Sequence, residues 1–354
     1  MSTVIAALLL GSVLPATRSL PSPPFEHVVL ISVDGLRSDV LEAPHIDGLP
    51  NFARLLRGPH TLDARTDPQY TVTLPNHVSM LTGRPVLGPY GHNWTSNDDP
   101  AAGKHGGTLH IHKGAYIPSV FDAAHDAGLA TTCAASKTKF WLFEQSYGEA
   151  HGATDTTGPD NGRSKIDLFV FGDRTPELAS TLADGLRRTS GPSFHFIHFA
   201  APDVAGHSYD WQVKPGSKYM ASIEEADAAL GVILGAIDGD PDLRARTAVI
   251  LTTDHGGGVP RKTHTDITCP LNFRIPFLMW MGQDGAAVDL YAVNPDRHRP
   301  GREELVGRDA ERQPIRNGDA ANAALGLLGL QAIDGAFYGT ISGPIRHHPR
   351  AEYK

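Results

Sequence analysis

Three apolar runs in this chain each end on an acid. HVVLISV (27–33) leads into Asp34, FHFIHFAAP (194–202) into Asp203, and TAVILTT (247–253) into Asp254 and His255. Each run reads as a strand buried on both faces, as in a parallel sheet. LATTCAA (129–135), IDLFVF (166–171) and IPFLMWM (275–281) read as further strands. Helical patterns lie between them. Ile46, Leu49, Phe52, Leu55 and Leu56 recur at helical spacing, and PSVFDAAHDAG (118–128) is a helix stopped by Gly128. PELASTLADGLRR (176–188) is amphipathic, and Ile223, Leu230, Ile233, Leu234 and Ile237 mark a long helix. A short final helix is expected to be capped near Asp319 and to run through Ala324 and Leu328. This alternation predicts an α/β fold, a mostly parallel central sheet flanked by helices. Such sheets bind ligands beyond the carboxyl ends of their strands. Three carboxylates and one imidazole are therefore expected to converge there. A single strand-end acid ordinarily caps the next helix; three of them, two closely followed by His, point to a site.

The spacings indicate metal. In DVAGH, Asp203 and His207 are four residues apart and can reach one ion; in DHGGG, Asp254 and His255 are adjacent; His264 follows in KTHTD. Carboxylate and imidazole donors without thiolate suit Zn²⁺, and less specifically Mn²⁺ or Fe²⁺. Asp34, Asp203, His207, Asp254, His255 and His264 are too many for one tetrahedral zinc and enough for two. Paired ions about 4 Å apart stabilise both the attacking and the leaving oxygen in phosphoryl transfer.

A nucleophile is offered by TVTLPNHVSMLTG (71–83). Pro75 fits a first helical turn and Gly83 a helix stop. Thr73 then lies near the N-cap, as a capping residue or as an attacking hydroxyl. The helix N-terminus favours an anion, and a neighbouring metal would activate the hydroxyl. Thr71, in extended chain, and Ser79, inside the helix, are weaker candidates. His77 is read as structural. HGGTLHIH (105–112) is read as a hairpin strand with His110 and His112 on one face. Lys137 and Lys139 follow a strand end, where they read as surface lysines or substrate contacts. Tyr90, Trp94, Tyr209 and Trp211 could stack on a substrate or pack a cap.

VDGLRSD (33–39), TLPNHVSMLTGRP (73–85), DVAGHS (203–208) and TTDHGGG (252–258), in that order, resemble the alkaline phosphatase superfamily, in its nucleotide pyrophosphatase/phosphodiesterase (type I phosphodiesterase) branch. The resemblance spans about residues 27–280. It implies a two-zinc enzyme with a phospho-threonine intermediate. Asp34, Asp254 and His255 would hold one ion, which also binds the Thr73 oxygen. Asp203, His207 and a third His would hold the other. His264 is the expected third His, with His298, His347 and His348 as rivals. Asn93, in YGHNW, would grip a phosphoryl oxygen, with the Leu74 backbone N–H as a second donor. The expected substrate is a small-molecule phosphate ester, nucleotide-like, cleaved at a phosphodiester or pyrophosphate bond. The alternative is a phosphomonoesterase, phosphonate or sulfate-ester hydrolase. Sulfatases carry Cys or Ser where this chain has Thr73. No Arg lies within about ten residues of Thr73 to hold a dianion except Arg65, upstream, which favours a diester.

Composition bounds the rest. The net charge of −8, with Lys and Arg scattered, gives no nucleic-acid footprint and no anionic-membrane patch. Residues 25–345 are expected to form one catalytic domain with short cap-like excursions at 84–116 and 141–165, and 346–354 a tail. Residues 1–24 hold an apolar run, Val4–Val13, too short to span a bilayer. They read as a signal peptide or a disordered start, with no basic residue before the run. Export to the periplasm or the exterior is the expectation. Two cysteines, Cys133 and Cys269, make no disulfide scaffold. Oligomeric state is left open.

Overall fold

The structure, a computed structural model, describes residues 23–100, 107–155, 162–282, 285, 287–341 and 343. The expected signal segment, except Pro23 and Pro24, lies outside the described residues, as do the tail, His347 and His348.

Eight strands form one sheet among the described residues: β1 (His27–Val33), β2 (Pro59–Arg65), β3 (Ala130–Ala135), β4 (Leu168–Phe171), β5 (Ser193–Phe199), β6 (Thr247–Thr252), β7 (Arg274–Trp280) and β8 (Val288–Asp289). Their spatial order is β4-β3-β5-β1-β6-β7-β2-β8. Only β7 runs against the others, antiparallel to β6 and to β2. The sheet is thus mostly parallel, as expected. β1 lies between β5 and β6 and is parallel to both, so the three strands followed by acids are immediate neighbours.

Alternate residues of β1 feed two cores. Val28 and Leu30 join one core with Leu74, Val78 and Leu81 of the Thr73–Thr82 helix and Leu325 of the Ala320–Leu327 helix. Val29, Ile31 and Val33 join the other with Ile223, Leu230, Ile233 and Ile237 of the Lys218–Asp238 helix. Leu178, Leu182 and Leu186 of the Thr175–Arg188 helix pack into that second core. Each fully buried side chain of this kind contributes about 1.5–3 kcal/mol.

The structure departs from the sequence reading at several elements. The Ile46–Leu56 pattern is a 3₁₀ turn, His45–Gly48, followed by a short helix, Pro50–Leu55; Pro50 starts the second piece anew. HGGTLHIH holds a helix, Leu109–Lys113, not a strand. Thr108 caps it by accepting from the Ile111 N–H at 3.1 Å, and Gly114 stops it at φ 73°. Local capping outweighs the alternating pattern there. A helix, Trp141–Tyr147, occupies part of the second expected excursion. Asp319 is the N-cap residue of the final helix, Ala320–Leu327, as expected, but its side chain makes no capping bond: the carboxylate accepts from the Arg316 N–H at 2.8 Å and from Arg297 at 2.7 Å.

Candidate active site

Three chain reversals at the sheet's carboxyl edge build the site. β1 runs straight into Asp34, and Gly35 turns the chain at φ 74°, where an added Cβ would lie 3.1 Å from the Asp203 Cα. β5 leads into the Ala201–Tyr209 helix, which carries Asp203 in its first turn and His207 one turn later. That spacing puts both side chains on one helix face. β6 leads into Asp254 and His255, and Gly256 and Gly257 donate their N–H groups to the Asn272 and Leu271 carbonyls at 2.8 and 2.9 Å. His264 sits farther along this loop, its Nδ1 bonded to the Thr71 carbonyl while the Thr71 hydroxyl bonds the His264 carbonyl.

Asp34, Asp203, Asp254, His255 and His264 are all buried. His255 Nε2 lies 3.1 Å from Asp254 Oδ2 and 3.5 Å from Asp34 Oδ1. Thr73 Oγ1 lies 3.5 Å from the same Nε2. Beside this cluster, His207 Nε2 is 3.3 Å and His264 Nε2 3.7 Å from Asp203 Oδ1. The two Nε2 atoms are 3.2 Å apart. Stacked rings of His255 and His264, 3.6 Å between centroids, join the clusters. Two half-sites result, composed of the residues singled out in the sequence. The rival His298 is bound to Glu304 at 2.8 Å.

The donor set fits divalent cations. Asp34 Oδ1, Asp203 Oδ1 and Asp254 Oδ2 are buried with no hydrogen-bond partner. Each imidazole commits Nδ1 to a carbonyl: His255 to Gly256 at 2.7 Å, His207 to Lys262 at 2.8 Å, and His264 to Thr71. Such bonds fix the proton on Nδ1 and aim the Nε2 lone pair inward, as for metal-ligating histidines. Lone pairs therefore face unpartnered carboxylate oxygens, an arrangement that a cation satisfies.

The electrostatics reflect the same crowding. Burial and the Asp34 charge push the Asp254 carboxyl well above the usual carboxylate range. Burial also opposes charge on Asp34, but the Lys137 ammonium and the His198 hydrogen bond outweigh it and hold that carboxyl well below the range. Burial, then the neighbouring His255, lowers His264 to about 3. The contact with Asp203 raises His207.

Thr73 is the first residue of its helix, Val72 is the N-cap, and no side chain caps it. The Thr73 hydroxyl is thus turned to His255 and not to the helix. The other hydroxyls are committed: Thr71 to His264, and Ser79 to His92 at 3.1 Å. His77, fully buried, ties the helix to β1 through Ser32 Oγ at 2.7 Å and to the Thr73 carbonyl at 2.8 Å, in keeping with a structural role.

Asn93 is not brought to the nucleophile. Its side-chain amide lies between the Gly88 carbonyl, at 3.3 Å, and the Lys113 amine, at 3.1 Å. The Leu74 N–H instead donates to Asn97 Oδ1 at 2.9 Å. Sequence reading missed Asn97, although GHNWTSN offers two asparagines four residues apart. It also underrated Lys137, whose ammonium lies 2.6 Å from both Asp34 Oδ2 and Asp203 Oδ2. Trp94 and Trp211 are buried, whereas Tyr90 and Tyr209 are exposed. Cys133 and Cys269 are unpaired.

Residues 28–266 match the family described as type I phosphodiesterase / nucleotide pyrophosphatase. The chain belongs to this family. It is 25% identical over 299 residues to GPI ethanolamine phosphate transferase 1 of Saccharomyces cerevisiae, covering 78% of this chain and 29% of that protein. The chain thus spans less than a third of the length of this curated relative. Among solved structures, it resembles a protein in the alkaline phosphatase superfamily from Vibrio parahaemolyticus, with TM-score 0.51 and 14% identity over 90% of this chain and 71% of that one. It also resembles the C-terminal periplasmic domain of EcEptC from Escherichia coli in complex with Zn, with TM-score 0.50 and 14% identity over 89% of this chain and 85% of that one. At these identities the structural likeness speaks for the fold. No helix among the described residues is long and apolar enough to cross a membrane.

Proposed function

We propose that the chain is a metal-dependent phosphodiesterase that works through a phospho-threonine on Thr73. The observation that carries this reading is the meeting of unpartnered carboxylate oxygens and inward Nε2 lone pairs beside one uncommitted hydroxyl. Asp34, Asp254 and His255 would hold one Zn²⁺, and Asp203, His207 and His264 a second. When bound, such ions lower the pKa of a hydroxyl or a water and neutralise charge on the phosphoryl oxygens. Thr73 Oγ attacks phosphorus in line and gives its proton to water, while the bond to the ester oxygen breaks and that oxygen takes a proton from water. Water then cleaves the Thr73–phosphorus ester. The Asn97 amide N–H, rather than Asn93, would steady a phosphoryl oxygen at the helix N-terminus, with its Oδ1 held by the Leu74 N–H. A singly charged diester suits this donor, and nucleotide-like esters are the proposed substrates. Residues 25–345 would form the one catalytic domain, in an exported protein.

Similarity to a GPI ethanolamine phosphate transferase supports a second reading, in which an alcohol rather than water takes the phosphoryl group from Thr73. One experiment separates them. Metal content is measured, and a chromogenic diester and its monoester are offered with and without an added alcohol. Diester cleavage dominated by hydrolysis supports the first reading, and a phosphorylated alcohol as main product supports the second. A metal-replete protein that cleaves neither ester overturns both.

A further inference from the structure

Lys137 divides the labour of two carboxylates. It sits on the turn after β3, two strands away from β1. That turn is locked: Ser136 Oγ donates to the His198 carbonyl at 2.9 Å and accepts the Ala200 N–H at 2.8 Å. From there the ammonium reaches 2.6 Å from Asp34 Oδ2, in one half-site, and 2.6 Å from Asp203 Oδ2, in the other. His198 Nε2 adds a contact to Asp34 Oδ2 at 2.9 Å. The remaining oxygen of each carboxylate, Asp34 Oδ1 and Asp203 Oδ1, is the one left buried and unpartnered.

We propose that Lys137 is a positioning residue, an internal cation that bridges the two half-sites and turns one oxygen of each carboxylate toward its metal. This rests on the reading that both clusters hold divalent cations. The charge balance supports it. Asp34, Asp203 and Asp254 place three carboxyl groups in one buried volume, and Lys137 offsets one negative charge before any ion binds. With two divalent ions the set becomes net positive, which matches an incoming phosphate. Losing one partner of a buried ion pair is strongly destabilising because the other charge stays buried and uncompensated. Without Lys137, that burden falls on the metals.

The test uses zinc alone as probe. Purified wild type, Lys137→Met and Lys137→Arg are stripped with a chelator, and unfolding is followed with and without saturating Zn²⁺, alongside bound zinc per chain. The metal-free Lys137→Met protein is expected to melt roughly 5–10 °C below wild type. Zinc should close at least half of that gap, and Lys137→Arg should restore most of the metal-free stability. A Lys137→Met chain that folds only with zinc present supports the same conclusion. An equal melting deficit with and without zinc makes Lys137 a plain structural ion pair and overturns the inference. So does a variant unfolded under both conditions, or one with wild-type behaviour in both. Wild type that binds no zinc instead removes the reading underneath.

Discussion

Replacing Thr73 by Ala removes the hydroxyl that faces His255 Nε2. Its effect on chemistry and its effect on folding should differ by several kcal/mol. Thr71 and Ser79 cannot substitute, because their hydroxyls bond the His264 carbonyl and His92. Loss of a covalent nucleophile reduces turnover by about 10⁴-fold or more. Ten-thousandfold corresponds to about 5.5 kcal/mol of transition-state stabilisation. Folding should change by no more than about 1 kcal/mol, since Thr73 Oγ1 has a single 3.5 Å contact with His255 and caps nothing. The assay is kcat/KM on a chromogenic diester, with zinc content and melting temperature measured on the same samples. Radiolabelled phosphoryl retained after acid quench reports the covalent intermediate. Thr73→Ser keeps an attacking oxygen and should retain measurable turnover and label. Thr73→Ala with full zinc and more than a tenth of wild-type activity refutes the nucleophile. Activity lost in step with zinc refutes it too, leaving Thr73 as a ligand only.

Other perturbations follow from particular contacts. Chelation should abolish diester cleavage and lower the melting temperature, and added Zn²⁺ should restore both; activity unaffected by exhaustive chelation excludes the metal reading. Asn97→Ala should lower kcat/KM by about 10²-fold or more, the usual loss for one donor to a developing oxyanion, whereas Asn93→Ala should stay within tenfold; the reverse order returns the role to Asn93. Gly206→Ala would put a Cβ 2.2 Å from the Trp211 ring, which lies edge-on to His207 at 5.1 Å, so bound zinc should fall to about one ion per chain. Phe140→Ala opens a cavity beside His77 and His198, at ring distances of 4.8 and 4.2 Å, and should destabilise the fold by about 3–5 kcal/mol in denaturant titrations.

What the sequence disclosed follows from what is local. β1, β5 and β6 were legible because each is an apolar run buried on both faces, and their following acids came with them. β2, PHTLDAR, was not, because it opens on Pro, carries an Asp and pairs near the sheet's margin. β8 is two residues long and has no periodicity to read. The six proposed ligands were legible as types and spacings. Asn97 was not, because which of two nearby asparagines returns to the helix depends on a long loop that bends at Gly88 (φ 103°) and Asn93 (φ 62°). Lys137 was not, because only the strand order β3-β5-β1 brings its turn to Asp34.

The same strand order explains why this edge of the sheet demands cations. Neighbouring parallel strands lie about 4.8 Å apart, and Asp34 stands between the acids that follow β5 and β6. Unit charges at that spacing repel by about 3.5 kcal/mol at an effective dielectric of 20. Two such neighbouring pairs approach 7 kcal/mol, a large part of the roughly 5–15 kcal/mol by which a domain is stable. Lys137 can offset only part of it. Burial and the Asp34 charge also push the Asp254 carboxyl well above the usual carboxylate range, which opposes its ionisation. A divalent ion in each half-site removes that opposition, so zinc binding should release the Asp254 proton. Zinc titrations in buffers of different ionisation enthalpy, at a pH below that raised value, should show the proton as a buffer-dependent heat. A buffer-independent heat would mean that Asp254 is already ionised, and that the repulsion is relieved by something other than the cations.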